Sequence, residues 1–288
     1  MSRKYFSLEH LAKRINQRKK LFKAVPYHTT KKIQLPVNAD LKTYCSKLTS
    51  ILPYDQGQLG SCTANAFCGA YCLLEQIKQG SATFHPSRLY VYFYERLEED
   101  PKHNQKDLSD TGGDVVDGVS YIQQFGVCQE SLWPYDDTNE QTKPNLSSYP
   151  YDTPPKSDYK TDASKHKIST YHTIPIDEEL VNNIKQSIVN KTPVLIAVAV
   201  YKSFESEITA KTGHVTIPNP LNYNDPNDSR DPFLGGHEMC LIGYDDKTKS
   251  FLVMNSWGSK WGQGGLCLMP YDYLTNSNLG LEFTVFDL

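Results

Sequence analysis

The sequence predicts an α+β chain, helical in its first half and mostly sheet in its second. Before about residue 130, apolar residues recur at three- and four-residue intervals in runs that end at glycine. After about residue 190 they form short β-branched runs separated by polar turns. Between these parts, from Trp133-Pro134-Tyr135 to about Lys165, lies a stretch rich in Pro, Asp, Ser and Thr that reads as a connection without chemistry of its own.

Length and composition set further bounds. The 288 residues are 39% hydrophobic and 22% charged, enough apolar material for one large or two modest cores. Thirty Lys and Arg against 33 Asp and Glu give a formal charge of −3, so bulk charge does not point to nucleic acid. The longest apolar run, Pro193 to Val200, is far short of the roughly 20 residues a membrane helix needs, and no membrane partner is expected. The start, Met1-Ser2-Arg3-Lys4, does not lead into a signal sequence, so the expected setting is cytoplasmic or otherwise reducing, and the expected state a monomer. Seven cysteines, an odd number at low density, read as mainly reduced thiols.

Residues 1–32 carry ten Lys or Arg and a single acid, Glu9, a local charge of +9 against −12 for the remainder. Ser7 can cap a helix with Leu8, Leu11, Ala12, Ile15 and Phe22 on one side, stopping before Pro26. Such a segment is either a solvated basic arm or a regulatory piece that docks on the acidic remainder. We therefore set apart residues 1–50 as an N-terminal extension, 51–165 as the helical part and 166–288 as the β-rich part.

The next helix is expected over Cys62 to Lys78, where Ala66, Ala70, Leu73, Leu74 and Ile77 fall at helical intervals before Gly80. Others are expected at Pro86–Glu98, at Asp114–Phe125 closed by Gly126, and near Asp177–Asn190. Strands are expected at Pro193–Tyr201, Met239–Tyr244, Phe251–Asn255, Gly265–Met269 and Leu281–Phe286, with a long loop from Lys211 to Leu234.

The cluster Tyr244-Asp245-Asp246-Lys247-Thr248-Lys249 reads as a hairpin turn. A hairpin centred near residue 246 sets His237 opposite Asn255 on one face of the sheet, unless a bulge changes the register. An imidazole held by an amide calls for a proton partner, and Cys62 supplies one at a helix N-terminus, where the helix dipole and an imidazolium both stabilise a thiolate. Cys68, Cys72, Cys240 and Cys267 fall inside predicted helices or strands and read as small buried hydrophobes, while Cys45 and Cys128 stay open. A zinc hydrolase is not indicated, because His237-Glu238 begins like H-E-x-x-H but position 241 is Leu241. No phosphate-binding or dinucleotide fingerprint is present either, so no cofactor is called for.

Three blocks are jointly specific: Asp55-Gln56-Gly57-Gln58-Leu59-Gly60-Ser61-Cys62, then Gly236-His237, then Asn255-Ser256-Trp257-Gly258-Ser259-Lys260-Trp261-Gly262. Over about residues 50 to 270 the chain resembles the papain-like cysteine peptidases, with the blocks in family order. Thr111-Gly112-Gly113 and Trp133-Pro134-Tyr135 are similar to that family's glycine-rich substrate wall and its continuation. The resemblance implies a helical lobe and an antiparallel β-barrel-like lobe with a cleft between them, and an endopeptidase that hydrolyses polypeptides through a thioester. Position by position it implies Cys62 as nucleophile, His237 as general base and then acid, Asn255 as the residue that orients the imidazole, and Gln56 as an oxyanion donor with the Cys62 N–H. It further implies that Trp257 shields the His237–Asn255 bond, that Gly112 and Gly113 offer backbone to an extended substrate, and that Glu238 stands where a small apolar residue usually lines the S2 pocket. For Glu238 the alternative is strand alternation, which turns the side chain to the face opposite His237.

The chain also departs from the family pattern. A Cys three residues before the nucleophile and an aromatic after it are replaced by Leu59 and Thr63, and Asp110 stands where the disulfide partner would fall. About 50 residues precede Gln56, fewer than usual for a pro-region, so the extension reads as a short pro-segment or a permanent arm. Two other functions share the residues: a cysteine amidase or deubiquitinating-type hydrolase using the same triad, and a silent binding protein using only the groove.

Overall fold

The computed structural model describes residues 34–99, 108–220 and 230–288. The helix expected from Ser7 and the middle of the Lys211–Leu234 loop lie outside the described residues. Structure begins before residue 51: strand β1 (Asn38–Asp40) is followed by a one-turn helix α1 (Lys42–Cys45) and a 3-10 turn over Ser46–Leu48. β1 joins the sheet of the second half, so residues 38–48, grouped with the extension on sequence grounds, are part of the fold.

Helix α2 (Cys62–Gln79) occupies the expected span and ends at Gly80, whose φ of +76° lets its N–H turn back onto the Gln76 carbonyl at 3.0 Å. Fifteen of its 18 residues are buried, which is why small and apolar side chains surround its whole circumference rather than one stripe. Helices α3 (Arg88–Glu99) and α4 (Val115–Phe125) pack beside it. The Asp114 carboxylate caps α4 by accepting from the N–H groups of Val116 at 2.8 Å and Asp117 at 3.4 Å. The polar connection carries only the short helix α5 (Tyr159–Ala163).

The second half supplies strand β2 (Thr170–Thr173), helix α6 (Leu180–Val189), strand β3 (Val194–Tyr201), helix α7 (Glu207–Thr212), strands β4 (Phe233–Asp245), β5 (Ser250–Met254) and β6 (Leu266–Pro270), helix α8 (Tyr271–Thr275) and strand β7 (Gly280–Asp287). They form an antiparallel sheet in the order β2-β7-β3-β4-β5-β6, with β1 added alongside β4. The sheet is not closed, so the barrel-like lobe expected from the resemblance is an open, covered sheet. β3 lies between β4 and β7 and is buried at all eight positions, the reason its sequence is continuously apolar rather than alternating.

Helix α2 packs on this sheet through Phe67, whose ring lies 4.8 Å from that of Phe286 on β7. The two halves thus meet along one face, with the N-terminus of α2 near one end of the contact.

The β4–β5 hairpin forms, but in a different register. Tyr244 pairs with Phe251 and Cys240 with Met254, with a shift between Leu241 and Gly243. Continued, this register sets His237 against position 257, not 255. β4 continues to Asp245, which pairs with Ser250, so the turn is centred between residues 247 and 248 rather than near 246; the extra residue Ile242, whose carbonyl accepts the N–H of Leu41 at 2.8 Å where the chain leaves β1, then moves the register back by one. The local sequence of the hairpin holds no sign of a partner two hundred residues earlier.

Candidate active site

Cys62 is the first residue of α2 and is 1% exposed. The preceding Ser61 does not cap the helix with its side chain. Its hydroxyl pairs with the Tyr135 hydroxyl at 2.6 Å and accepts from Asn65 Nδ2 at 3.0 Å. The first turn therefore keeps its positive end directed at Cys62, where it favours a thiolate.

None of the other six thiols begins an α-helix, and none of the seven cysteines is in a disulfide. Burial pushes Cys45, Cys72 and Cys128 up to about 12, with Asp40 adding to the effect at Cys45. Burial likewise raises Cys68, Cys240 and Cys267 well above the ordinary thiol range.

His237 lies on β4, 1% exposed, and its Nε2 is 2.8 Å from Asn255 Oδ1, just beyond the end of β5. The Ser256 N–H donates to the same Oδ1 at 2.8 Å, which fixes the amide orientation. Nε2 must then carry a proton, and Nδ1 is the nitrogen that exchanges one. Although the strand register does not set these residues opposite each other, the chain turns at Asn255 and returns the amide to the ring.

Trp257, at the position the register sets against His237, stacks on the imidazole with centroids 4.9 Å apart and planes inclined by 30°. Trp261 and Phe204 pack around that indole at 5.1 and 5.4 Å. The His237–Asn255 bond therefore lies under an aromatic cover, where exclusion of water strengthens it.

Gln56 is held by the residue after Asn255. Ser256 Oγ donates to Gln56 Oε1 at 2.6 Å, and Gln56 Nε2 donates to the Leu59 carbonyl at 3.0 Å. Because a carbonyl can only accept, Nε2 is identified without ambiguity, and an amide nitrogen carries a second proton beyond that bond. The Gln56 N–H donates to the Ser256 carbonyl at 2.9 Å and Gly258 N–H to the Tyr54 carbonyl at 2.9 Å. Tyr135 donates its hydroxyl to the Gln56 carbonyl at 2.9 Å. Ser256 and Tyr135 belong to quoted motifs, but sequence reasoning gave neither a role, because their partners are set only by tertiary contact.

Gly112 has a φ of +89°, which a side chain would disfavour. A Cβ on Gly113 would lie 2.0 Å from Glu95 Oε1. That buried carboxylate accepts the hydroxyl proton of Thr63, so the residue after Cys62 is joined through Glu95 to the back of the glycine wall.

Glu238 is fully buried, and regular pairing of β4 with β3 puts it on the face opposite His237, as alternation requires. That face also carries Met254, which touches α2 at Gly69. Across β3 the register runs Glu238, Ala197, Glu282, so a second carboxylate, 5% exposed, flanks the same small residue. Glu282 was not singled out in the sequence; the only signal was an acid inside the apolar run Leu281–Phe286. Among the described residues, no group of three His, Cys, Asp or Glu side chains is gathered to hold a metal ion.

The contrast among the thiols leads to a direct expectation. A raised thiol pKa means less thiolate at any pH below it, so at about pH 7.5 the six thiols other than Cys62 remain protonated. Brief treatment of the folded protein with iodoacetamide should add about one equivalent, mapped by mass spectrometry to the peptide that begins the α2 helix. Equal labelling of Cys68 or Cys128 would contradict it.

Comparisons with known proteins agree with this geometry. A family model described as papain family cysteine protease matches residues 35–282. An uncharacterized peptidase C1-like protein of Acanthamoeba polyphaga mimivirus is 34% identical over 246 residues, 85% of this chain and 73% of that protein. Cysteine proteinase 2 of Entamoeba histolytica is 26% identical over 244 residues, 81% of this chain and 63% of that protein. Among solved structures, xylellain, a cysteine protease from Xylella fastidiosa, superposes with a TM-score of 0.75 at 29% identity, covering 92% of this chain and 91% of that one. Digestive procathepsin L 3 of Tenebrio molitor shares the fold, with a TM-score of 0.66 at 20% identity over 92% of this chain and 74% of that one. The chain belongs to the papain family of cysteine proteases.

Proposed function

We propose that the protein is an endopeptidase that cleaves polypeptides internally through a thioester on Cys62. The observation that carries this reading is the 2.8 Å bond from His237 Nε2 to Asn255 Oδ1 under Trp257, which leaves Nδ1 to serve the thiol at the start of α2. The Cys62 Sγ proton passes to His237 Nδ1, and the thiolate attacks the peptide carbonyl carbon. The C=O electron pair moves onto oxygen, where the second Gln56 Nε2–H and the Cys62 N–H receive it. Collapse breaks the C–N bond as Nδ1–H protonates the leaving amine. His237 then takes a proton from water, which attacks the thioester and expels the thiolate.

Cys62→Ala should reduce internal cleavage of an unfolded protein such as reduced casein to background, whereas Cys68→Ala should retain it. Cleavage confined to small amides or to chain ends in the unmodified protein would favour an amidase or exopeptidase.

Substrate selection follows in the same proposal. Glu238 and Glu282 lie on the sheet face toward α2, separated only by Ala197, and one neighbours His237 in sequence. A carboxylate is the complement of a cationic side chain, which favours Lys or Arg as the second substrate residue before the cleaved bond. A charge-assisted pair contributes about 1.5 to 3 kcal/mol, on the order of ten- to a hundredfold in kcat/KM. In a substrate library varied at that residue, Glu238→Ala and Glu282→Ala should each lose the basic preference. A profile unchanged in both variants would remove the pair from the pocket.

The basic N-terminal segment, +9 against −12 for the rest, is proposed to dock over the cleft. Tethering provides an effective concentration of roughly millimolar, so weak docking is sufficient to inhibit. A chain starting at Lys31 should cleave small peptides faster than the full chain and with less salt dependence. Equal rates at all salt concentrations would identify a solvated arm.

A further inference from the structure

Asp110 replaces a cysteine in the family pattern, and its surroundings give it a task. Its Oδ1 accepts the Gly60 N–H at 2.9 Å and the Tyr92 hydroxyl at 2.5 Å. The same Tyr92 oxygen accepts the Gly112 N–H at 3.2 Å. One carboxylate oxygen and one phenol oxygen thus join the loop before Cys62, helix α3 and the glycine wall. The fit leaves no slack: a Cβ on Gly60 would lie 3.0 Å from Asp110 Oδ1 and 3.4 Å from both the Gly112 nitrogen and the Tyr92 hydroxyl.

The clamp is anchored from behind. Arg96 donates through Nη1 to the carbonyls of Ser109 at 2.9 Å and Leu108 at 3.3 Å, through Nη2 to Tyr151 at 2.6 Å and through Nε to Tyr92 at 2.8 Å. Its guanidinium also lies 3.9 Å from the centre of the Tyr92 ring. Burial first, and then the Asp110 charge, push Tyr92 well above the ordinary phenol range, so its hydroxyl remains a donor to the carboxylate.

Gly60 immediately follows Leu59, whose carbonyl holds the Gln56 amide, and precedes Cys62 by two residues. Displacement of Gly60 therefore moves both oxyanion donors relative to Gly112. We propose that Asp110 is a positioning residue whose acceptor oxygen, with Tyr92, fixes the oxyanion loop against the glycine wall by hydrogen bonds, the work of the disulfide this chain lacks. The inference rests on the peptidase reading above, and it makes the spacing of the wall and the loop independent of thiol redox state.

The test compares Asp110→Ala, Asp110→Asn and Tyr92→Phe for kcat and KM on a fluorogenic peptide, for the iodoacetamide alkylation rate at Cys62, and for thermal unfolding. Alkylation forms no oxyanion and does not use the glycine wall. Asp110→Ala should lose about ten- to a hundredfold in kcat/KM, the scale of two lost hydrogen bonds, while alkylation changes by less than about threefold. Asp110→Asn retains an oxygen that accepts both bonds and should stay within about threefold of the unmodified protein. Tyr92→Phe should show a smaller loss, mainly in KM, that is not additive with Asp110→Ala. If Asp110→Ala does not unfold cooperatively, Asp110→Asn and Tyr92→Phe decide the matter by the same ratio of hydrolysis to alkylation.

The proposal is overturned if hydrolysis and alkylation fall together in the folded variants, if hydrolysis is unchanged, or if Asn is as poor as Ala. Unmodified protein that alkylates at Cys62 yet hydrolyses no peptide would overturn the peptidase reading instead.

Discussion

Two backbone hydrogen bonds, from Gln56 N–H to the Ser256 carbonyl and from Gly258 N–H to the Tyr54 carbonyl, join the start of the helical half to the end of β5, and the geometry of the site depends on them. Cys62 begins a helix, His237 lies within a strand, and Asn255 follows another strand. None of these elements fixes the others by local structure. The strand-like contact of residues 54–56 with 256–258 does so, because three successive residues beyond β5 each have a separate partner. Asn255 holds the imidazole, Ser256 the Gln56 amide, and Trp257 covers the ring. Displacing this segment would shift the proposed base and the proposed oxyanion donor together.

The helical side is tied by polar groups that would be expensive to bury singly but are mutually satisfied here. Tyr135 joins Ser61 to the Gln56 carbonyl, Thr63 joins Glu95, and Asp110 joins Gly60 to Tyr92. Partial to full burial strengthens such bonds and makes the loss of one partner costly. Trp257, Trp261 and Phe204 form the apolar counterpart on the sheet side. A hydrogen-bonded frame of this kind needs no disulfide, in keeping with seven cysteines of which none is in a disulfide.

What was legible in the sequence was mainly local. Gly80 after an uninterrupted apolar run, and Asp114 before Val115, mark helix ends through their own backbone chemistry, and both ends are where the pattern put them. His237 and Asn255 were expected side by side and are hydrogen bonded, yet the hairpin register that relates them differs, because the turn is centred between residues 247 and 248 and Ile242 is an extra residue in β4. That bulge depends on Leu41, too distant in sequence to be read. Glu282 meets Glu238 only because β7 and β4 flank β3, a strand order that no periodicity reveals. Likewise β1 is three residues of ordinary composition, and only pairing with β4 makes them a strand.

In the proposed function this frame serves one covalent intermediate, a thioester on Cys62. The most direct measurement is the intact mass of the protein quenched in acid during turnover of a slowly deacylating p-nitrophenyl ester, followed by peptide mapping. A single added acyl group is expected on the peptide containing Cys62, and it disappears as the ester is consumed. Acylation at any other residue, or steady hydrolysis without an acylated species when deacylation limits turnover, would contradict it.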